Sequence, residues 1–316
     1  MILKEKKIVI SLLAFVLPFF LFAVTPQKET RLFAVKDGQE LKMDIHSSDS
    51  VFSNPQPCLM FVFGGGFMAG SREGKEYDAF FGHFVDKGFK VVSIDYRLGM
   101  KGVKKAPGLF NTKPIQNAIA LAVSDLYSAT EYLLQHATEL NIDTTRIIIS
   151  GSSAGAITVL QADYEKRNNK PSAELLPRDF RYAGVISLAG AIFSTEGFPT
   201  YTIPPAPTLF FHGSADKLVP YNQIRFFRMG MFGSKPLAAH FKKHGYPYVF
   251  YSMENIGHDV SSYPMREFIP EISKFVDDLV LDRKLWNIDI NFNDKLRNSN
   301  TSTNPGNYYG QDAQDE

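Results

Sequence analysis

Gly151-Ser152-Ser153-Ala154-Gly155 reads G-x-S-x-G, and it stands where the Ile-rich stretch from Arg146 to Ser150 meets a helix expected to run from Ala154 toward Asn168. That placement gives the pattern a mechanical meaning. A sharp strand-to-helix turn lifts its central serine above a sheet, with glycines where a Cβ would clash. Ser153 would then sit at the positive end of a helix, beside backbone N–H groups able to bind an oxyanion. As a bare string the pattern is common; the apolar run before it and the small residues after it make Ser153 the candidate nucleophile.

A serine hydroxyl is a poor nucleophile without a base, and the base needs a carboxylate to orient it. In strand–helix alternation the expected chain order is Ser, then Asp or Glu, then His. His212 and His258 each follow an apolar strand pattern, whereas His240 and His244 fall on a helical stretch, where a solvated face explains them. His258, in Asn255-Ile256-Gly257-His258-Asp259, follows the strand pattern Tyr248 to Met253, at the edge where ligands gather in open α/β sheets. It is the expected base, and His212 is expected to support its own loop. Asp216, in the loop after Thr208 to His212, lies one strand earlier and is the expected acid. Ser-x-Asp is also good turn sequence, so a purely structural role is the alternative. Glu254 is the fallback acid, and Asp259 is too close along the chain to orient the neighbouring ring.

The second half of such a site is a cradle for negative charge. Phe63-Gly64-Gly65-Gly66-Phe67 follows the apolar run that begins at Cys58. Glycines allow a backbone to approach a scissile carbonyl and turn N–H groups toward it. The donors expected are Gly65, Gly66 and Ala154. A tight turn or a phosphate nest would use similar sequence, but a phosphate loop needs Gly-Lys followed by Ser or Thr, which is absent here.

Taken in order, the Gly-Gly-Gly-Phe run, Asp95-Tyr96-Arg97, G-x-S-x-G, Asp216 in His-Gly-x-x-Asp, and Gly257-His258 resemble the α/β-hydrolase superfamily. Within it the chain is most similar to carboxylesterases of the hormone-sensitive-lipase-like and acetyl- or feruloyl-esterase-like groups. The resemblance spans about Leu32 to Val280. It implies hydrolysis of carboxylic esters through an acyl-enzyme, without metal or organic cofactor, using Ser153, Asp216 and His258 with Gly65, Gly66 and Ala154 as donors. One departure stands out: many relatives carry His where Phe63 precedes the glycines, so support for this loop must come from packing or from elsewhere, with Arg97 a candidate.

The elements needed to position these residues are legible. Arg31 to Val35 and Glu40 to His46 flank Lys36-Asp37-Gly38-Gln39 as a hairpin. Strands are expected at Cys58 to Phe63, Lys90 to Tyr96, Arg146 to Ser150, Ala183 to Ala189, Thr208 to His212 and Tyr248 to Met253. Between them helical spacing appears at Tyr77 to Lys87, at about Ile115 to Asn141, after Ser153, from about Tyr221, and from about Met265 to Asp282. Such alternation predicts an α/β fold: a mostly parallel mixed sheet with helices on both faces. The catalytic domain is expected at residues 28–285. A C-terminal extension, 286–316, turns polar, and from about 298 its Asn, Ser, Thr, Gly and Asp content predicts disorder.

The remaining features bound the setting. Lys4, Lys6 and Lys7 precede an apolar run from Ile8 to Val24, which reads as an export signal over residues 1–23, cut after Ala23. An uncleaved membrane anchor is the alternative, although the run is short for a span and Pro18 would kink it. After cleavage no stable membrane span is expected. Cys58 is the only cysteine, so no intrachain disulfide can form, and its place at the head of an apolar strand makes it a core residue. A formal charge of +1 with mixed signs offers no basic field for nucleic acid, and the Lys101 to Lys105 cluster reads as a solvated loop.

Two segments overhang the expected site: Leu98 to Pro114, and Ile192 to Pro207 with Phe193, Phe198, Tyr201 and Ile203. They could wall an acyl or aryl pocket or simply pack into the core. Neither is long enough for the large mobile lid that a triglyceride lipase would use. The expected substrate is a small-molecule or polysaccharide-linked ester, acetyl and feruloyl groups being candidates by analogy. The alternatives are a lipase, an amidase or peptidase with the same triad, and a non-catalytic binding protein on this fold.

Overall fold

A computed structural model describes residues 27–103, 106–108 and 111–309. The expected export signal lies outside the described residues. Among those described, no helix is long and apolar enough to cross a membrane.

The chain opens with a hairpin, β1 (Gln27–Lys36) and β2 (Gln39–Ser47), whose turn places Asp37 and Gly38 at positive φ. Next come β3 (Gln56–Val62), helix α1 (Asp78–Asp86), β4 (Lys90–Ile94) and α2 (Lys113–Gln135), followed by β5 (Ile142–Ser152) and α3 (Ala154–Arg167). Strand β6 (Gly184–Leu188) leads to short β7 (Ala191–Ser194), then to β8 (Thr208–Gly213). A second hairpin, β9 (Gln223–Phe226) and β10 (Met229–Gly233), precedes α4 (Ser234–His244) and β11 (Tyr248–Met253). The chain continues through α5 (Pro264–Glu267), α6 (Ile269–Phe275), β12 (Asn287–Phe292) and α7 (Pro305–Tyr309).

Among the described residues nine strands form one sheet in the order β1-β2-β4-β3-β5-β6-β8-β11-β12. Its first two pairings, β1 with β2 and β2 with β4, are antiparallel, and the rest are parallel. The central strands β3, β5, β6 and β8 read as nearly unbroken apolar runs because helices cover both of their faces. On one side α2 packs on α3, and α4 joins them through Tyr201, whose ring meets both Tyr164 and Phe241. On the other side α1 packs against α5 and α6. Phe80, Phe81 and Phe84 of α1 are buried there, and Cys58 is fully buried at the head of β3. Burial pushes the Cys58 thiol far up, so it is a core group rather than a reactive one.

Four expectations need correction. The stretch from Tyr221 opens as the β9–β10 hairpin, not a helix, and β10 pairs with β7 to make a separate three-stranded sheet. Its turn holds Phe227 at φ 50° without Gly or Asn, so the usual hairpin signal is missing. The helix expected over Met265 to Asp282 is broken, because Pro270 lacks the N–H that would continue α5 into α6. The sheet also runs past residue 285, since β12 adds a parallel strand beside β11. Finally, the segment expected to be disordered from about 298 is ordered as far as Tyr309. Its polar side chains close their own turns, with Asn300 Oδ1 accepting from Ser302 N at 3.0 Å and Asn304 Oδ1 from Gly306 N at 3.0 Å. Tyr309, only 9% exposed, supplies apolar burial that a composition count overlooks.

Candidate active site

The turn from β5 into α3 confines Ser153. Its backbone is at φ 51° and ψ −114°, a conformation rare for a residue with a side chain, and its N–H donates to Leu188 O at 2.9 Å. The flanking glycines are steric necessities. A Cβ on Gly155 would lie 1.9 Å from Val62 O, and one on Gly151 would lie 2.3 Å from Gly155. Strand β3 and helix α3 can therefore meet only through glycine, and that close approach sets the height of Ser153 above the sheet.

His258 opens the short 3₁₀ turn after β11, and its Nε2 lies 2.7 Å from Ser153 Oγ. Its Nδ1 lies 2.7 Å from Asp216 Oδ2. With Nδ1 protonated and donating to the carboxylate, Nε2 is left to accept the serine proton. The neighbouring serine braces this arrangement, because Ser152 Oγ donates to Ser261 O at 2.7 Å and ties the elbow to the histidine turn. Parallel pairing of β8 with β11 brings the Asp216 and His258 loops side by side at the same sheet edge.

Asp216 is fixed by more than the histidine. Its Oδ1 accepts the N–H groups of Leu218 at 2.9 Å and Val219 at 3.0 Å, and His212 Nε2 approaches Oδ2 at 3.4 Å. Burial alone would raise this carboxyl, but hydrogen bonds from His212 and His258 outweigh it and hold it well below the usual carboxylate range. It is thus held in its ionised, accepting form. His212 is fully buried and contacts Ser234 Oγ and Val219 O, in the loop-supporting place expected of it. The other carboxylates face elsewhere: Glu254 accepts from Asn293, and Asp259 from Asn300 N and Ser299.

Opposite the serine stands the glycine loop. Gly65 and Gly66 adopt φ 110° and 63°, and Met68 N and Ala69 N both donate to Gly65 O at 3.0 Å, curling the loop. Gly66 and Ala154 border the same cavity as Ser153. Support for the loop comes from Tyr96 rather than from Arg97. The Tyr96 ring stacks on Phe63 at 4.4 Å, and its hydroxyl donates to Phe63 O at 3.1 Å. Arg97 instead forms a fork with Asp125 and reaches Asp37. Beyond the glycines, Arg72 donates to both Asp95 oxygens at 2.9 Å and anchors the far end of the loop to β4. Stacked Phe–Tyr thus does the work that a polar residue at position 63 would do.

The cavity over Ser153 has a volume of about 360 Å³. Its walls include Phe67, Ile115, Ile157, Phe193, Leu218 and Met231, and among the described residues no charged one borders it. Of the aromatic residues expected to overhang the site only Phe193 reaches this space; Phe198 and Tyr201 pack against Phe232 and Phe241 instead. Pro107, Gly108 and Thr112 contribute from the other overhanging segment. Two wall elements have no counterpart in the sequence reading: the β9–β10 hairpin, through Ile224, Met229 and Met231, and the C-terminal segment, through Pro305 and Tyr309. Burial alternates along Met229 to Phe232, but the residue types Met-Gly-Met-Phe do not, so no period-two pattern marks this strand in the sequence.

The comparisons agree with this architecture. The BD-FAE family model matches residues 43–192. The chain is 30% identical over 116 residues to fumonisin B1 esterase of Sphingopyxis macrogoltabida, covering 37% of this chain and 21% of that protein. It is 31% identical over 105 residues to a probable N-octanoylanthranilate hydrolase of Rhodococcus erythropolis, covering 33% and 21%. The chain therefore spans about a fifth of the length of these curated relatives. Among solved structures, esterase 2 of Thermogutta terrifontis with propionate bound superposes with a TM-score of 0.60 at 21% identity, covering 80% of this chain and 94% of that one. That similarity establishes the shared fold.

Proposed function

We propose that this chain is a member of the α/β-hydrolase superfamily and a serine carboxylesterase working through an acyl-enzyme. The observation that carries the reading is the unbroken chain of hydrogen bonds from Asp216 through His258 to Ser153, at 2.7 Å in each step. In this reading Ser153 Oγ attacks the ester carbonyl as His258 Nε2 takes its proton. Asp216 holds the imidazole in its tautomer and stabilises the imidazolium. Backbone N–H groups of Gly65, Gly66 and Ala154 receive the negative charge that develops on the carbonyl oxygen. His258 then returns its proton to the departing alcohol, and the same groups direct water to the acyl carbon in the second half of the reaction.

The cavity narrows the substrate. Among the described residues the lining is uncharged, aliphatic and aromatic, which favours a neutral acyl group, aliphatic or aryl. A small-molecule ester fits best. The resemblance of its motifs to the acetyl- and feruloyl-esterase-like group keeps acetyl or feruloyl groups on polysaccharide within the proposal. Amide hydrolysis by the same three residues is the second reading, favoured by the curated relative named for an N-octanoyl substrate. Export directed by residues 1–23 rests on the lysines and the apolar run that follow the first methionine.

The test combines a fluorophosphonate probe with a panel of p-nitrophenyl esters and one matched ester–amide pair. The expected result is labelling of Ser153, turnover of neutral esters and a large preference for ester over amide. A folded protein that neither labels at Ser153 nor hydrolyses any ester would end the proposal.

A further inference from the structure

The C-terminal arm, residues 293–309, crosses both halves of the candidate site, and its contacts assign it work that the reaction above leaves unassigned. Leaving β12, it passes over the histidine loop first. Arg297 pairs with Glu267 and lies over the Tyr263 ring at 4.2 Å. Ser299 Oγ accepts Gly257 N–H at 2.7 Å, one residue before His258, and donates to Asp259. Asn300 N also donates to Asp259 Oδ2, at 3.1 Å. The arm then reaches the glycine loop, where Tyr309 donates its hydroxyl to Gly66 O at 3.2 Å. Burial, with Tyr308 alongside, pushes that phenol well up, so it stays a donor at any working pH.

The loops beneath are shaped to admit the arm. A Cβ on Gly257 would come within 2.2 Å of Asn300 O, and one on Gly66 within 2.6 Å of the Tyr308 ring. Contact on this scale at two separate glycines is a docked surface, not a loosely draped tail. Pro305 and Tyr309 also border the cavity that holds Ser153. One side chain therefore both borders the cavity and grips the carbonyl of Gly66, which lines the same cavity.

We propose that Tyr309 is a positioning and specificity-determining residue: through Gly66 it sets the orientation of the oxyanion-binding loop, and its ring closes one end of the acyl cavity. Ser299 performs the matching task at the histidine loop. This proposal rests on the serine-hydrolase reading for its kinetic consequences, while the bracing itself does not depend on it.

Full-length Tyr309→Phe and Tyr309→Ala separate the two roles. Phe retains the ring but cannot donate to Gly66 O, so kcat should fall about three- to tenfold, the worth of one neutral hydrogen bond, with KM unchanged. Ala opens the cavity end as well, so KM for acetyl esters should rise and the octanoyl-to-acetyl ratio of kcat/KM should increase about tenfold, within the range one apolar contact commands. Unchanged kcat, KM and acyl preference in both variants would overturn the proposal. So would equal losses on every ester matched by equal falls in melting temperature, which would make the arm a stabilising element only. If the wild-type protein proves inactive on every ester, the hydrolase reading fails instead. The arm is then judged by hydrogen exchange across residues 63–70, which Tyr309→Ala should accelerate; unchanged exchange there would defeat the bracing role.

Discussion

Two parts of the molecule build the site by different means. In the first, from the glycine loop of β3 to the elbow at Ser153, the geometry is written into short stretches of backbone: glycines where strand and helix touch, and positive φ where the chain must turn. In the second, from β8 to Tyr309, side chains converge from segments far apart in sequence. Asp216 and His258 meet because β8 and β11 are paired in parallel. The β9–β10 hairpin and the C-terminal arm meet the cavity only through tertiary packing. The BD-FAE family match, ending at residue 192, covers the first part and stops before both Asp216 and His258. Backbone-encoded machinery leaves a recognisable local pattern, whereas walls made of packed side chains leave almost none.

The largest expected effect lies where the two parts touch. Ser153→Ala removes the proposed nucleophile and should lower kcat by about 10⁴-fold or more, leaving what the cradle and binding alone provide. Asp216→Asn should cost roughly 10³- to 10⁴-fold, because an amide at that position cannot hold the imidazole in the required tautomer. Steady-state kinetics on one ester, with circular dichroism to show that the fold survives, checks both. Wild-type turnover by Asp216→Asn would mean that the second part shapes the cavity without contributing to the chemistry.

The contrast also explains what could be read from sequence. Ser153, the glycine loop, Asp216 and His258 were accessible because each follows an apolar strand pattern at the sheet edge where ligands collect. Strand β11 was delimited to the residue. The β9–β10 hairpin was read as helix because Phe227-Arg228 replaces the glycine or asparagine that turns of this kind prefer, and the strain at Phe227 is visible only in its dihedral. Tyr96 was overlooked as the support of Phe63 because stacking between residues 33 positions apart has no signature in either local pattern. The arm was discounted on composition, since two tyrosines weigh little in a polar count yet bury enough to dock it.

The hairpin offers a finer test of the same distinction. Met231→Trp should fill part of the cavity and shift kcat/KM from octanoyl toward acetyl esters by about 10- to 100-fold, the range of a few methylenes in an apolar pocket. An unaltered acyl preference would show that the acyl group lies elsewhere. At the hairpin's tip, Phe227→Gly should release the left-handed strain and stabilise the protein by about 0.5–1 kcal/mol, measured by urea denaturation, without touching catalysis.

The smallest effect concerns pH. Helix α4 backs the hairpin, and His240 on it packs against Phe198 and lies 4.1 Å from the His244 ring. Burial first, then His244 and Lys243, lower its pKa from 6.5 to about 4. Because the folded state favours the neutral ring, the unfolded chain takes up the proton first as pH falls. The stabilising contribution is therefore complete above pH 6.5 and drains away down to about pH 4, below which it no longer changes. Helix α3, behind the elbow, carries no histidine, whereas His46 on β2 and His83 on α1 are likewise held below the usual histidine range, chiefly by burial. Thermal melts of His240→Phe against wild type should coincide above pH 7 and diverge in its favour at pH 4.5 by roughly 2–4 °C, once solvent screening of a partly exposed ring is allowed for. Parallel curves across that interval would place the acid sensitivity of the fold in some other group, with His83 on α1 and His46 on β2 the next to test.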